Sequence, residues 1–290
     1  KIDEAIEYLL AYLDENPNDA ETYFMLTVAY VQLGQTENAI NTMKCAVESG
    51  LPASRFIAGP RQLFKKLQDE EEFKKLIDKF SKIPVHGPML GNVTEHSASF
   101  WMRTANEGQV RAVIAEMNNP DNLVVTKPVK VTEDSDYTAV ITVDGLKPNN
   151  KYLYSIQIRS DDKWHEGRYY TFQTASSQGK KTNFTVAFGG GAGYVPLHEY
   201  VWDTVLSFKP RAFLFLGDNV YIDNKEDSSY QRYCYYRRQS RPEFKKLVAS
   251  TPVYAIWDDH DFCVNDFWGG PEVDKPAWKI PVWQIFKQNW

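Results

Sequence analysis

The sequence predicts a multidomain chain: an α-helical repeat segment, then an all-β sandwich, then an α/β domain. Three successive patterns of apolar residues predict this order. Apolar residues recur at helical spacing through residues 1–82 and alternate with polar residues through 83–176. Through 177–290, short apolar runs alternate with helical stretches. These ranges are the predicted domain boundaries.

Length and composition are typical of a globular protein with more than one core. The chain has 290 residues, of which 43% are hydrophobic and 14% aromatic, and this is enough for two or three domains. The net charge of −5 gives no sign of a surface that binds nucleic acid. No apolar run approaches the roughly 18 residues that predict a transmembrane helix, and the first residues do not form a signal peptide.

The three cysteines are far apart, and none belongs to a CxxC pair. A disulfide framework is therefore not expected. Cys45 lies on a helical face and is predicted to be a core residue. Cys263 follows Asp261 by two residues, so it is either a core residue or part of a site.

The helical segment repeats with a period of about 34 residues, so that Ala5 in the first copy corresponds to Ala39 in the second. It resembles the tetratricopeptide repeat at Tyr23, Leu26, Tyr30, Ala39 and Ala46. Thr27 stands at the glycine position of that repeat. Stable arrays need about three copies, so we expect a longer native protein on the N-terminal side. The apolar faces form either helical core alone or also a groove for a protein partner.

The middle segment contains short runs with a period of two residues. Strands are predicted at 97–104, 109–115, 137–143, 152–158 and 169–173, which indicates a β-sandwich. Residues 146–154 resemble the tyrosine corner of fibronectin type III domains, in which a buried tyrosine hydrogen-bonds nearby backbone. Trp101 fits a core tryptophan. We expect His86, His96 and His165 to be surface or hydrogen-bonded residues rather than metal ligands.

The last segment reads as alternating strands and helices. Strands are predicted at 184–188, 213–216 and 253–257, and helices at 197–208 and at 232–248 with a break at Pro242. A glycine-rich turn at 189–193 follows the first strand.

Acidic residues follow two of these strands at the point where each strand ends. The first strand runs into Gly217 and Asp218, with Tyr221 three residues later, and the second runs into residues 258–261, which read Asp-Asp-His-Asp. In open α/β sheets, ligands bind beyond the carboxyl ends of the strands. Turn and capping chemistry is the alternative for the first motif, but the clustered acids of the second favour a metal site.

The residue types suit hard metal ions. Asp218 and Asp259 offer carboxylate oxygens, with Asp258 or Asp261 as a further candidate, while Tyr221 offers a phenolate and Asn265 an amide oxygen. A cation removes the repulsion between crowded carboxylates. A two-metal site also generates hydroxide near neutral pH and clamps both oxygens of a phosphoryl displacement.

Two further residues are predicted to act in catalysis. His260 either protonates the leaving alkoxide or holds a phosphate oxygen. Asp261 fixes the tautomer of a histidine, His260 or another.

The motifs GDNVY at 217–221 and WDDHDFCVN at 257–265 resemble the alkaline phosphatase D family of metallophosphoesterases. The resemblance implies hydrolysis of phosphomonoesters or phosphodiesters, iron and calcium as metals, and a location outside the cytoplasm. It implies that Asp218, Tyr221 and Asn265 are ligands, and that Asp259 with His260 matches the Asn-His pair of the wider superfamily. A fibronectin-like module commonly precedes the family's catalytic domain.

The sequence departs from the family at Gly191, where a cysteine ligand is usual. The glycines there either admit backbone N–H groups to a phosphate or form a flexible turn. Residues 177–290 correspond to the first half of the catalytic domain only, so we expect little activity from these 290 residues alone.

Basic residues lie between the two motifs. Arg237 and Arg241 are at helical spacing, and they either clamp the phosphate of the substrate or lie on a solvated helix face. The sequence thus favours a metal-dependent hydrolase of small phosphate esters. The alternative is a non-catalytic binding protein with a degenerate hydrolase domain.

Overall fold

A computed structural model describes all residues from Lys1 to Trp290, which divide into two compact units, Lys1–Phe80 and Ser81–Trp290. The first unit is helical, and the second contains every β-strand. The predicted combination of helices, antiparallel sheets and an α/β fold is confirmed, whereas the boundaries of the three domains stay a prediction. None of the helices has both the length and the apolarity needed to cross a bilayer.

Short amphipathic helices build the first unit. They are α1 Ile2–Glu15, α2 Ala20–Gln32, α3 Thr36–Glu48, α4 Ser54–Ala58, α5 Arg61–Phe64 and α6 Glu71–Ser81. Asp19 begins α2, because its carboxylate accepts a hydrogen bond from the Thr22 backbone N–H at 2.7 Å. One apolar cluster is formed by Ile6, Leu13, Leu26 and Ala29.

Thr27, at the glycine position of the resembled repeat, is fully buried. Its hydroxyl donates to the Tyr23 carbonyl oxygen at 2.9 Å and lies 3.0 Å from the Thr42 hydroxyl. Hydrogen bonding thus removes the cost of burying a polar group at this position. The tetratricopeptide resemblance and the groove for a protein partner stay predictions.

Two antiparallel sheets open the second unit. Their strands are β1 His86–Gly91, β2 Ala98–Arg103, β3 Gly108–Glu116, β4 Asn119–Val125, β5 Val129–Val131, β6 Thr138–Val143, β7 Lys151–Ser160, β8 Lys163–His165 and β9 Tyr169–Gln173. One sheet has the order β1-β2-β6, and the other has the order β4-β3-β7-β8 with β5 on β3 and β9 on β7. A single apolar core contains Phe100 and Ile141 of the first sheet with Ile114 and Tyr154 of the second. The sheets therefore form a sandwich.

The tyrosine corner is confirmed. Tyr152 is buried, and its phenolic oxygen accepts a hydrogen bond from the Lys147 backbone N–H at 2.7 Å. Trp101 is buried as well, but it packs away from the sandwich core. Both faces of β2 are covered, so Phe100 points into the sandwich while Trp101 packs with Phe213 and donates its indole N–H to the Gln288 carbonyl oxygen. The sequence pattern of β2 does not indicate that its two faces pack against different cores.

The α/β part follows the sandwich. Its elements are β10 Val186–Gly189, α7 Val201–Ser207, β11 Ala212–Leu216, α8 Ser228–Gln239, α9 Pro242–Ser250, β12 Val253–Ile256 and α10 Lys279–Asn289. The three strands are parallel in the order β10-β11-β12. The expected helix at 197–208 begins only at Val201, because Pro196–His198 forms a 3-10 turn.

The two faces of the parallel sheet differ. One face is buried against α7 and α9, where Trp202, Phe213, Phe215, Phe244 and Leu247 share a core. The other face presents Val186, Phe188, Leu216, Tyr254 and Ile256 to solvent. Cross-strand register places these residues together, since Leu216 pairs with Ile256 and Phe188 with Leu214. Parallel sheets usually have both faces covered, so this apolar face is unusual.

A buried polar network joins the sandwich to α8 and α10. Arg103 on β2 is fully buried and ion-pairs with Asp136 at 2.9 Å. The same guanidinium hydrogen-bonds Gln239 at 2.7 Å, Asn289 at 2.9 Å and the Nδ1 atom of His86 at 2.7 Å. His86 is therefore a hydrogen-bonded structural histidine, as expected.

Candidate metal centre

The ends of the three parallel strands meet at one edge of the sheet, and glycine permits their close approach. Gly217 follows β11 with φ +100, and a Cβ atom there would lie 2.6 Å from the Cβ atom of Asp258. No side chain fits at such a distance, so position 217 requires glycine. This contact brings the loop after β11 against the loop after β12.

Asp218, Asp259 and His260 form a cluster at this edge, with ligand atoms that all lie within 4.8 Å of one another. All three side chains are half-buried. The Oδ1 atom of Asp218 is buried without a hydrogen-bond partner. Buried polar atoms are nearly always paired, and this unpaired oxygen is available as a ligand for a cation.

The two carboxylates have pKa values shifted in opposite directions. Burial, followed by the charge of Asp259, raises the pKa of Asp218. Burial also acts to raise the pKa of Asp259, but hydrogen bonds from the backbone N–H groups of Asp266 and His260 outweigh it and lower that pKa. An unbound cluster therefore carries electrostatic strain that a positive ion relieves.

His260 is held by a residue that the sequence interpretation missed. Its Nδ1 atom lies 2.7 Å from the Asp223 carboxylate, and its ring centroid lies 4.2 Å from that of Tyr221. Burial lowers the pKa of His260, but Asp223, Asp218 and Asp259 outweigh burial and raise it. The sequence does contain a signal for Asp223, which lies in the same loop as Asp218 and Tyr221.

Asp261 does not orient His260. It is fully buried, and its Oδ1 atom accepts hydrogen bonds from the backbone N–H groups of Asn219 and Val220 at 2.9 and 3.0 Å. Its Oδ2 atom accepts from the backbone N–H of Asp258 at 3.0 Å. Burial, opposed by these donors, raises the pKa of Asp261 to about 7. Asp261 thus ties together the two loops that carry the cluster.

The glycine turn lies against Tyr221, and the N–H groups of Gly191 and Ala192 are already hydrogen-bonded. A Cβ atom at Gly191 would lie 4.0 Å from the Tyr221 hydroxyl. The Gly191 N–H donates to the Gly217 carbonyl oxygen at 3.2 Å, and the Ala192 N–H donates to the Asp218 carbonyl oxygen at 3.0 Å. The suggestion that Gly191 presents its backbone N–H to a phosphate is therefore wrong. Its φ of +66 also requires glycine for conformational reasons.

Asn265 lies on the exposed loop that follows His260. Its side-chain amide donates to the Asp266 carboxylate at 2.6 Å. The Asp266 backbone N–H in turn donates to the Asp259 carboxylate. The loop therefore contacts the cluster through Asp266, and the role of Asn265 as a ligand stays a prediction.

Arg237 and Arg241 do not share a helical face. Helix α8 ends at Gln239, and Arg241 lies at the start of α9, where it ion-pairs with Glu243 at 3.2 Å. The guanidinium of Arg237 lies 5.0 Å from the centroid of the Tyr194 ring. The expected helical pairing is wrong because the chain turns between the two arginines.

The arginine between them, Arg238, was not singled out from the sequence. It is buried, and it ion-pairs with the buried Glu199 at 3.0 Å. It also donates to the carbonyl oxygens of Asn219 at 2.6 Å and Gly193 at 3.1 Å. Arg238 thereby positions the glycine turn and the Asp218 loop. Arg237 and Arg238 are adjacent, and the sequence does not indicate which of the two side chains points into the protein.

Comparison with known proteins supports the fold. The structure of PhoD is similar, with a TM-score of 0.58 and 18% sequence identity over 70% of this chain. At that identity the similarity shows the fold alone, and it confirms the expected PhoD-like fold. The chain spans 45% of the PhoD chain. No curated protein matches the sequence.

Residues 83–176 match a family model described as a domain of unknown function, DUF7800. A fibronectin type III domain of human collagen XX is 17% identical over 32% of this chain and 91% of its own, with a TM-score of 0.26. The sensor domain of the anti-sigma factor RsgI4 in Pseudobacteroides cellulosolvens is 17% identical over 32% of this chain and 93% of its own, also with a TM-score of 0.26. Such scores carry no argument about this chain.

Proposed function

We propose that the protein is a metal-dependent hydrolase of phosphomonoesters or phosphodiesters. The observation that carries this proposal is the Asp218, Asp259 and His260 cluster at the strand ends of a PhoD-like fold. Ligands in such sheets bind beyond the carboxyl ends of the strands. The buried, unpaired oxygen of Asp218 gives the cluster a specific reason to bind a cation.

The residues present fit a hard metal ion. Asp218 and Asp259 would hold it, with Tyr221 and Asn265 as further oxygen ligands, and iron and calcium are the metals we propose. A bound ion of this kind supplies positive charge for the transferring phosphoryl group and lowers the pKa of water. Position 191, where the resembled family has a cysteine ligand, is glycine, so that thiolate is missing here.

Three side chains of the protein have the remaining roles in catalysis. The carboxylate of Asp223 engages the Nδ1 atom of His260, which leaves the Nε2 atom to face the substrate. His260 then donates a proton to the leaving oxygen, and Asp223 keeps the ring oriented. Arg237, beside Tyr194 at the end of the glycine turn, supplies a charge for a phosphate oxygen.

Metal content tests the proposal directly. Elemental analysis of protein grown with iron and calcium should find metal in the wild type and none in Asp218→Asn. Asp161→Asn is the matched control, because Asp161 is an exposed aspartate of the sandwich with a positive φ that asparagine accepts. Metal retained by Asp218→Asn, or absent from the wild type, would contradict the proposed site.

Hydrolysis of phosphate diesters by the metal-bound full-length protein separates catalysis from metal binding. We expect His260→Ala to keep its metal but to lose about 10²–10⁴-fold in turnover of a dialkyl phosphate, whose poor leaving group needs a proton, and much less with bis-p-nitrophenyl phosphate. The alternative function, a binding protein with a degenerate hydrolase domain, predicts bound metal without turnover in the wild type.

We propose a location outside the cytoplasm, which rests on the family resemblance of the two motifs. Fractionation of cells that express the native gene tests it, and recovery of the protein in the cytoplasmic fraction would contradict it.

A further inference from the structure

An aromatic cleft of about 450 Å³ opens beside the loop that carries His260. The cleft has the size of a small-molecule site. Six aromatic side chains line it: Trp257, Phe262, Phe267, Trp268, Trp278 and Trp283. Several of these rings remain substantially exposed, with Trp268 at 79% and Trp283 at 40%. Contiguous apolar surface of this kind marks a binding site more often than scattered exposed residues do.

The rings are packed against one another. Phe262 stacks on Trp278 with an interplanar angle of 11° and a centroid distance of 6.2 Å. Phe267 meets Trp278 edge-on at 5.6 Å, and Trp257 lies 5.2 Å from Phe262. The inner rings thereby fix one another, and they form a preformed surface whose outer members remain open to a ligand.

The cleft and the candidate metal centre share the loop after β12, since Asp258 lines the cleft and Asp259 and His260 belong to the cluster. Trp257 directly precedes the acidic motif, and Asp266, whose N–H donates to the Asp259 carboxylate, directly precedes Phe267. On the other loop, Lys225 follows Asp223 by two residues, and its ammonium lies 5.1 Å from the Phe267 ring centroid. The cleft therefore adjoins the loop that carries Asp259 and His260, and the Asp218 loop contacts one of its rings through Lys225.

The charged residues around the cleft restrict which chemical groups can bind there. Asp258 and Glu272 line it, but Glu272 ion-pairs with Lys275 at 2.8 Å, and the Lys225 ammonium lies 5.7 Å from the Trp278 ring centroid. The charges offset one another, so neither an anionic nor a cationic group is favoured there. The lining cation, Lys279, already donates to the carbonyl oxygens of Gly270 at 2.9 Å and Glu272. An uncharged planar ring matches both the flat walls and these charges.

We propose that this cleft binds an uncharged aromatic group of the substrate, so that the preferred substrates are phosphate esters with an aryl or base-like ring. The inference rests on the proposed function, because it requires the phosphoryl group at the metal centre. Stacking on aromatic side chains strengthens binding by about 1–3 kcal/mol per base. An aromatic substituent should therefore tighten binding at least about fivefold.

Calorimetric titration of the metal-bound protein with three phosphonates tests the inference. Phenylphosphonate, cyclohexylphosphonate and methylphosphonate share the charged group and differ in the substituent. We expect phenylphosphonate to bind at least about fivefold tighter than methylphosphonate, with cyclohexylphosphonate between them. Equal affinity for the phenyl and methyl compounds would overturn the inference while the proposed function stands. Cyclohexylphosphonate binding as tightly as phenylphosphonate would overturn the aromatic preference.

Variants locate the effect in the cleft. Trp268→Ala should bring phenylphosphonate affinity close to that of methylphosphonate and leave methylphosphonate affinity unchanged, and the high exposure of Trp268 means that the fold should survive. Trp283→Ala gives a second test on another lining residue. The matched control is Trp164→Ala, a half-buried tryptophan of β8 that stacks on Arg111 in the sandwich. An unchanged phenyl preference in both cleft variants would refute the cleft as the site, and failure of all three phosphonates to bind would refute the proposed function as well.

Discussion

The β-sandwich and the parallel sheet follow one another in the chain, yet they use their apolar residues differently. In the sandwich, Phe100 and Tyr154 are fully buried in a core to which both sheets contribute. In the parallel sheet, Phe215 is buried on one face, while Phe188 is 69% and Ile256 is 60% exposed on the other. The sandwich therefore completes its own core, whereas the parallel sheet leaves one apolar face exposed to solvent.

The difference extends to polar groups. The sandwich core is apolar, but the loops at the end of the parallel sheet depend on buried charge, through Arg238 with Glu199 and through Asp261. Buried ion pairs and hydrogen bonds demand a particular geometry, because an unpaired polar group in the interior is costly. The candidate metal centre lies on the part of the molecule whose shape is fixed by polar contacts.

The largest stability effect should come from the sandwich core. Phe100→Ala removes a fully buried ring that stacks on Tyr154 at 4.3 Å, and we expect it to lower the free energy of unfolding by about 3–5 kcal/mol. Urea denaturation followed by circular dichroism measures this. A loss below about 1 kcal/mol would mean that the sandwich core is loosely packed.

The buried ion pair near the site should give a comparable but somewhat smaller loss. Arg238→Met leaves the Glu199 carboxylate buried with only the Trp202 indole N–H as a partner, 2.7 Å away, and we expect a loss of about 3 kcal/mol. Arg237→Met is the matched control, because Arg237 contacts aromatic rings rather than a carboxylate. Equal losses in the two variants would show that the Glu199 pair contributes nothing specific.

Local patterns predicted much of this fold. The strands around Trp101, Tyr152 and Phe213 were predicted because alternation and apolar runs are properties of neighbouring residues. The tyrosine corner was predicted because Tyr152 bonds Lys147, only five residues away. The second core behind β2 was missed, because it depends on residues of α9 and β11 that are distant in sequence.

The candidate site shows the same limit. Asp218, Asp259 and His260 were placed together because the carboxyl ends of parallel strands share one edge. Asp261 was expected to fix the tautomer of a histidine, His260 or another, whereas the structure gives His260 a partner, Asp223, from the other loop. Adjacency in sequence does not give side-chain direction, and in a tight turn neighbouring side chains point apart.

Lys245 of α9 gives a pH-dependent test of the contact between the β-sandwich and the α/β part. Its side chain is half-buried, and its ammonium donates to the Val85 carbonyl oxygen at 2.8 Å. Burial, followed by the nearby charge of Arg168, lowers the pKa of Lys245 to about 8 from 10.5. The folded state thus favours the neutral amine. Its stabilising contribution is complete above pH 10.5 and is lost as the pH falls towards 8.

The comparison of wild type with Lys245→Met isolates this effect. Between pH 8 and 10.5, the wild type should gain up to about 2 kcal/mol of unfolding free energy relative to the variant. Urea unfolding of both proteins at several pH values measures the difference in unfolding free energy. The contributions of the other titrating groups are the same in both proteins and therefore cancel. A difference that is constant across this range would show that the ammonium is solvated.

The smallest effect on stability should come from the exposed sheet face. Phe188→Ser replaces an aromatic side chain that is 69% exposed with a small polar one. Because little packing is lost, we expect the unfolding free energy to change by less than about 1 kcal/mol. Removal of an apolar ring from a contiguous patch should nevertheless reduce self-association. Urea denaturation and sedimentation velocity measure the two quantities, and Ile256→Ser at 60% exposure provides an independent repeat. If Phe188→Ser were to cost as much as Phe100→Ala, the face would be packed in solution and the contrast between the two regions would disappear.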